Sequence, residues 1–200
     1  MPHKFNPAHM AHLESEERHR RQPPARLLAA IGVQPGARMA DIGCGPGFYV
    51  LPAARLVGPD GRVFALDLQE AMLARVREKA AAESLANVDA RLSEENHLPL
   101  PDGSADVALV ANVLHECTDP VAFLREVRRI LVPGGRVAVI EWRPEPMDMG
   151  PPLAERIGPN AVEAALTSAD FAQVAAVDPA ALGATHYGAL ATVGTEPHHP

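Results

Sequence analysis

Two hundred residues with 18 Lys/Arg against 25 Asp/Glu, a net charge of −7, do not suit a protein that grips nucleic acid by neutralising phosphates. A hydrophobic share of 47% supports a full core and excludes a disordered or fibrous chain, while two cysteines, Cys44 and Cys117, are too few for a disulfide scaffold or a four-thiolate zinc site. The start, MPHKFNPAHM, lacks the apolar stretch of a signal peptide, and no run approaches the ~18 apolar residues of a membrane span, so the chain reads as one soluble, cytoplasmic domain over 1–200.

In chain order, residues 8–21 read as a helix with a mixed charged surface, within an N-terminal segment, 1–24, that precedes the main pattern. Pro23-Pro24 then restart a helix over 27–31, with Gly32 as its stop. Beyond it, β-branched runs alternate with helical stripes, the signature of a largely parallel α/β sheet. The first strand is 38–42, followed by a glycine loop and a helix to about Val57; the second is 63–67. Met72, Leu73, Val76 and Ala80 share one face of a helix over 69–83, and a third strand falls near 88–92. The fourth, 105–111, is almost wholly apolar, as a strand covered on both faces must be. Asp119 and Pro120 cap a helix that Pro133-Gly134-Gly135 end, turning into strand five at 137–140. A helix near 159–168 and strands near 171–177 and 185–193 complete seven strands.

The strongest chemical signal is Asp41-Ile42-Gly43-Cys44-Gly45-Pro46-Gly47, directly after a strand and before a helix. Glycines let the backbone turn sharply and approach a ligand, and the helix start offers unpaired N–H groups. Asp67 closes the next strand, where an acid can accept both hydroxyls of a ribose. A dinucleotide fingerprint would require its third glycine at position 48, which is Phe48, and no phosphate-cradling G-x-x-x-x-G-K-S/T occurs.

With these motifs the chain resembles the class I S-adenosylmethionine-dependent methyltransferases. The stretches 98–106 (LPLPDGSAD) and 129–135 (RILVPGG) extend the resemblance in register from about 25 to 143. It implies a three-layer Rossmann-like sandwich with strand order 3-2-1-4-5-7-6, the last strand antiparallel. It also implies that the glycine loop (Asp41, Gly43, Cys44, Gly45, Gly47) carries the methionine part of S-adenosylmethionine. Asp67 with Leu68 would hold the ribose, an acid after strand three the adenine, and Asn112 would complete the site. Where relatives have Gly-Asp-Ala after strand three, this chain has Ser93-Glu94-Glu95, so Glu94 is the aligned acid with Glu95 beside it.

Strand order reverses between strands one and four, so the loop 111–118 must face the glycine loop. Within it His115 can orient a nucleophile or take its proton, the alternative being a histidine that only bonds the loop. Glu116 reads as a surface charge and Cys117 as a small buried hydrophobe. Two cysteines are too few for the three-thiol arrangement of arsenite-methylating relatives. The segment 141–152, with the only tryptophan, leaves strand five as a loop that lines an apolar pocket or simply covers the core. The histidines suggest no metal centre, His9 and His12 offering only a weak pair.

The function so read is methyl transfer from S-adenosylmethionine to a small-molecule acceptor by in-line displacement, releasing S-adenosylhomocysteine, with the N-terminal segment as a lid. A cofactor-binding regulator without turnover is one alternative, and a dinucleotide-dependent oxidoreductase another.

Overall fold

The computed structural model describes residues 16–195. The first part of the expected N-terminal helix, the His9–His12 pair and the terminal histidines lie outside those residues.

Elements alternate as the periodicity requires: α1 (Glu16–Arg21), α2 (Pro24–Ala30), β1 (Arg38–Ile42), α3 (Val50–Val57), β2 (Arg62–Asp67), α4 (Glu70–Ala82) and β3 (Val88–Leu92) form the first half. β4 (Ala105–Ala111), α5 (Pro120–Ile130), β5 (Leu131–Trp142), α6 (Pro159–Ser168), β6 (Ala172–Ala176) and β7 (His186–Thr192) form the second. They build a seven-stranded sheet in the order β3-β2-β1-β4-β5-β7-β6. Pairs among β1 to β5 are parallel, and β7 runs antiparallel to both β5 and β6. Order and direction both match the expectation.

Each face of the sheet buries its own apolar layer. Leu27 and Leu28 from α2 with Ile31 just after it, Val50, Leu51 and Val57 from α3, and Leu73 and Val76 from α4 cover one side. Phe123, Leu124, Val127 and Ile130 from α5 and Val162 and Leu166 from α6 cover the other. The central strands therefore carry apolar side chains on both faces, which explains why β4 reads as a continuous hydrophobic run. Asp119 caps α5 as expected, its carboxylate accepting the Val121 and Ala122 N–H groups at 3.1 and 3.0 Å. The LPLPD stretch is held in place by Arg129, which donates to the carbonyls of Leu98 and Leu100 and to Asp102.

Strand five differs from its expected bounds. The chain turns extended at Leu131, which pairs with Ala105, and the strand resumes pairing only at Arg136 opposite Val107. Pro133 has no N–H for the ladder, so the Pro-Gly-Gly segment forms a bulge inside β5 instead of a loop before it. At its other end the strand continues through Trp142, so Glu141 and Trp142 belong to the sheet and not to the following loop. Among the described residues no helix is long and apolar enough to cross a membrane.

Candidate active site

The parallel strands deliver their carboxyl ends to one edge, and a cavity of about 760 Å³ opens there across the β1/β4 switch point. The glycine loop, the ends of β2 and β3, the loop after β4, the end of β5 and α1 all contribute to its wall.

Of the residues expected to hold the cofactor, Asp41, Gly43, Cys44, Gly45, Asp67, Leu68, Glu94, Glu95 and Asn112 line this cavity. Gly47 does not. It turns behind the loop, where an added Cβ would lie 2.8 Å from Leu51 and 3.1 Å from Val76, so its smallness serves helix packing. Gly43 and Gly45 adopt φ of +70° and +52°, a region that L side chains avoid, and this turn aims the loop's backbone at the cavity. Asp67 is 8% exposed and accepts the Gly45 N–H and the Gln69 N–H, each at 2.9 Å, so one carboxylate ties the glycine loop to the end of β2. Burial raises its pKa, against the pull of those N–H groups. Leu68 next to it is 39% exposed, an apolar surface suited to a flat ring.

Glu94 is exposed at the rim, while the Glu95 carboxylate accepts the Thr118 N–H at 2.6 Å and braces the loop after β4. Cys44 is buried, which pushes its thiol pKa well up and leaves it unreactive. Cys117 is half-buried, more open than expected.

Among the described residues, two buried oxygens of residues that line this space lack a hydrogen-bond partner, Asp41 Oδ2 and Asn112 Oδ1. Asp41 is 1% exposed, and burial together with the Asp67 charge lifts its pKa to about 7, against the opposing pull of Arg18. Orphaned acceptors in a buried site fit a ligand that brings N–H donors and positive charge, as the ammonium of a methionine group does.

His115 lies on a 3₁₀ turn, Leu114–Glu116, at the far side of the same cavity. Its Nδ1 is 2.7 Å from Glu141 Oε2, and its backbone N–H donates to Glu141 Oε1 at 3.2 Å. Glu141 is 1% exposed. Burial opposes charge on the imidazole, yet the Glu141 hydrogen bond and the charges of Glu141, Glu116 and Glu155 raise its pKa above the ordinary value.

Sequence reasoning missed Glu141 as a partner, although an acid ending an apolar strand is a signal in itself. It also missed Arg18 and His186. Arg18 of α1 stacks 3.9 Å over the Phe48 ring and hydrogen-bonds Tyr49. His186 stacks on Trp142 with centroids 4.1 Å apart, and burial, with the charges of Arg18, Arg21, Arg143 and Arg156, lowers its pKa to about 3, so it stays neutral. The segment after Trp142 is held by Arg156, which donates to the carbonyls of Arg143, Glu145, Met149 and Pro151. Gly150 lies against the indole, where a Cβ would come within 2.7 Å of the ring. Met149, Pro151 and Pro152 thereby become an apolar wall of the cavity.

Comparison with known proteins agrees with this geometry. A family model described as a methyltransferase domain matches residues 40–139. A solved structure, a SAM-dependent methyltransferase from Aquifex aeolicus, superposes with a TM-score of 0.89 at 34% identity, covering 95% of this chain and 100% of that one. The nocamycin O-methyltransferase of Saccharothrix syringae is 33% identical over 86% of this chain and 57% of its own length. The demethylmenaquinone methyltransferase of Geobacillus kaustophilus is 33% identical over 58% of this chain and 49% of its own length. The chain thus spans about half the length of these two curated relatives. It belongs to the class I S-adenosylmethionine-dependent methyltransferase family. The dinucleotide-dependent alternative is set aside by that membership.

Proposed function

We propose that this protein transfers a methyl group from S-adenosylmethionine to a small-molecule acceptor by in-line displacement. The observation that carries the reading is one continuous cavity that joins the glycine loop, Asp67 and the orphaned acceptors Asp41 Oδ2 and Asn112 Oδ1 to His115. Bound S-adenosylmethionine would supply an electrophilic methyl on a sulfonium. The chain's own residues then bind, orient and exclude water: Asp41 and Asn112 receive the methionine ammonium, Asp67 the ribose hydroxyls, and Leu68 with Glu94 the adenine. Positioning of this kind can supply roughly 7–11 kcal/mol of a displacement barrier. A small acceptor accords with the net charge of −7, which disfavours nucleic acid, and with the small molecules in the names of the two curated relatives. The direct test is calorimetry with S-adenosylmethionine followed by assay of methyl transfer to an acceptor panel. Binding without transfer to any acceptor would instead support a cofactor-binding regulator.

The ionisation of Asp41 makes this reading measurable. A cationic ligand favours its carboxylate, so below about pH 7 binding should expel the proton that burial retains, and affinity should rise with pH up to about 7 and then level. Calorimetry in two buffers of different ionisation enthalpy should register that proton, and Asp41→Asn should abolish the difference. Equal heats in both buffers at pH 6 would sink the assignment.

The N-terminal segment acts in this reading as a lid, since Glu17, Arg18, Arg21 and Gln22 line the cavity. A chain beginning at Pro23 should keep its fold and hold S-adenosylmethionine within about tenfold, ~1.4 kcal/mol. Its transfer rate should fall much further because water enters the site. Full transfer activity in the shortened chain would refute the lid.

A further inference from the structure

Resting on the methyltransferase reading, we propose that His115 Nε2 is the general base of the reaction and Glu141 its positioning residue, and that the acceptor is a planar, apolar molecule bearing a weakly acidic hydroxyl, a phenol or an enol.

The geometry of the pair defines the role. Glu141 Oε2, 2.7 Å from Nδ1, fixes the proton on that nitrogen, and Oε1 holds the His115 backbone N–H, so ring and main chain are oriented by one buried carboxylate. The lone pair is left on Nε2, which lies 4.0 Å from Glu116 Oε1, outside hydrogen-bonding distance. The residue lines the cavity, so Nε2, the ring nitrogen not engaged by Glu141, is the one assigned to the acceptor. A buried histidine serving only to pin its loop would need the Glu141 contacts but no open second nitrogen.

The groups facing the ring come from several elements: Glu116 on its own turn, Glu141 from β5 and Glu155 from the turn after it. Tyr187 of β7 neighbours Glu141 and spends its hydroxyl on the Ile157 carbonyl at 2.8 Å. Among the described residues these three carboxylates act on the ring, an arrangement that stabilises an imidazolium once formed.

The acceptor class follows from what such a base is needed for. A neutral amine already carries its nucleophilic lone pair, and a thiol ionises near neutral pH unaided, whereas a hydroxyl is a poor nucleophile until its proton leaves. A phenol or enol has a proton acidic enough for imidazole to take as the bond forms. Its flat apolar body matches the wall of Leu98, Val113, Phe123, Trp142, Pro151 and Pro152. In the step, the acceptor oxygen forms the O–CH₃ bond, its proton passes to His115 Nε2, and the C–S bond breaks with its electron pair going to sulfur. The imidazolium, held by Glu141, returns the proton to water when the products leave, so one proton is released per methyl transferred.

The test uses naphthol, naphthylamine and naphthalenethiol, one planar body with three different acceptor atoms, together with proton NMR of the His115 ring. At saturating S-adenosylmethionine, where the pH dependence of cofactor affinity drops out, wild type should methylate naphthol with a rate that falls at low pH, and the midpoint of that limb should coincide with the titration of the His115 ring. His115→Asn should bind S-adenosylmethionine normally, lose naphthol transfer by about 100-fold or more, and lose the low-pH limb. Glu141→Gln should lower the His115 titration midpoint and slow naphthol transfer by about tenfold or more while S-adenosylmethionine binding persists. The wild-type limb and ring titration need no variant, so a misfolded Glu141→Gln leaves the test intact. Binding of S-adenosylmethionine without naphthol methylation, transfer equally fast in His115→Asn, or a pH limb unconnected with the ring titration each overturns the inference while leaving the methyltransferase reading in place. Failure of wild type to bind S-adenosylmethionine overturns that underlying reading instead.

Discussion

Replacing Asp67 by alanine is expected to weaken S-adenosylmethionine binding 10- to 100-fold or more. Its carboxylate accepts the N–H groups of Gly45 and Gln69 within the chain, and the residue lines the cavity where the ribose would lie. Hydrogen bonds to a charged group contribute ~1.5–3 kcal/mol each, so losing even one to the cofactor spans that range of affinity and losing two exceeds it. From sequence the acid would act on ligand alone, leaving the fold intact. The two internal bonds add a second effect, because alanine leaves both amide groups without their acceptor, at a cost of about 1–3 kcal/mol in folding stability. Calorimetry and a thermal melt separate the two. Asp67→Asn, which keeps one acceptor oxygen, should lose less on both counts. An unchanged dissociation constant in the alanine variant would mean that the ribose is held elsewhere.

Gly43→Val should be more damaging still. At φ +70° a β-branched residue bears strain of roughly 1–2 kcal/mol. The new Cβ would also collide with the Val113 side chain, on the loop that carries Asn112 and His115. Overpacking of this kind costs about 1–3 kcal/mol more, and relief requires the glycine loop or the loop after β4 to move. Both halves of the site would be displaced by one substitution. We expect S-adenosylmethionine binding to fall by about 100-fold or more, with melting lowered by less than a loss of fold would demand. Binding within threefold of wild type would reduce the glycine to a tolerated turn residue.

The parts of the site that were legible in advance are those whose chemistry is local. The glycine loop announces itself by positive-φ residues between a strand and a helix, and Asp67 by its place at the end of the following strand. Asp119 at the start of α5 is equally plain, since a cap needs only its next few residues. Gly47 shows the limit of such reading: spacing alone cannot say whether a glycine makes room for a ligand or for Leu51. The Pro-Gly-Gly segment misled, because a turn sequence outside a sheet and a bulge within one use the same residues.

By itself the sequence determined the alternation of strands and helices, the burial of both sheet faces and the position of the glycine loop, because period, capping and turn preference act over a few residues. Only the tertiary structure decided that His115 meets Glu141, 26 residues away. That contact depends on the parallel register of β4 and β5, in which Ala111 lies opposite Ile140. Side chains alternate between faces along a strand, so a slip of one residue would turn Glu141 away from His115. The bulge at Pro133 helps set that register, and its effect is felt only where two strands pair. Likewise Arg18 reaches Phe48 and Tyr49 because α1 folds back over the sheet edge, a long-range docking that no short pattern encodes. The glycine loop is written largely in local backbone chemistry, whereas the cavity wall formed by His115 and Trp142, with His115 held by Glu141, is assembled from elements far apart in the chain.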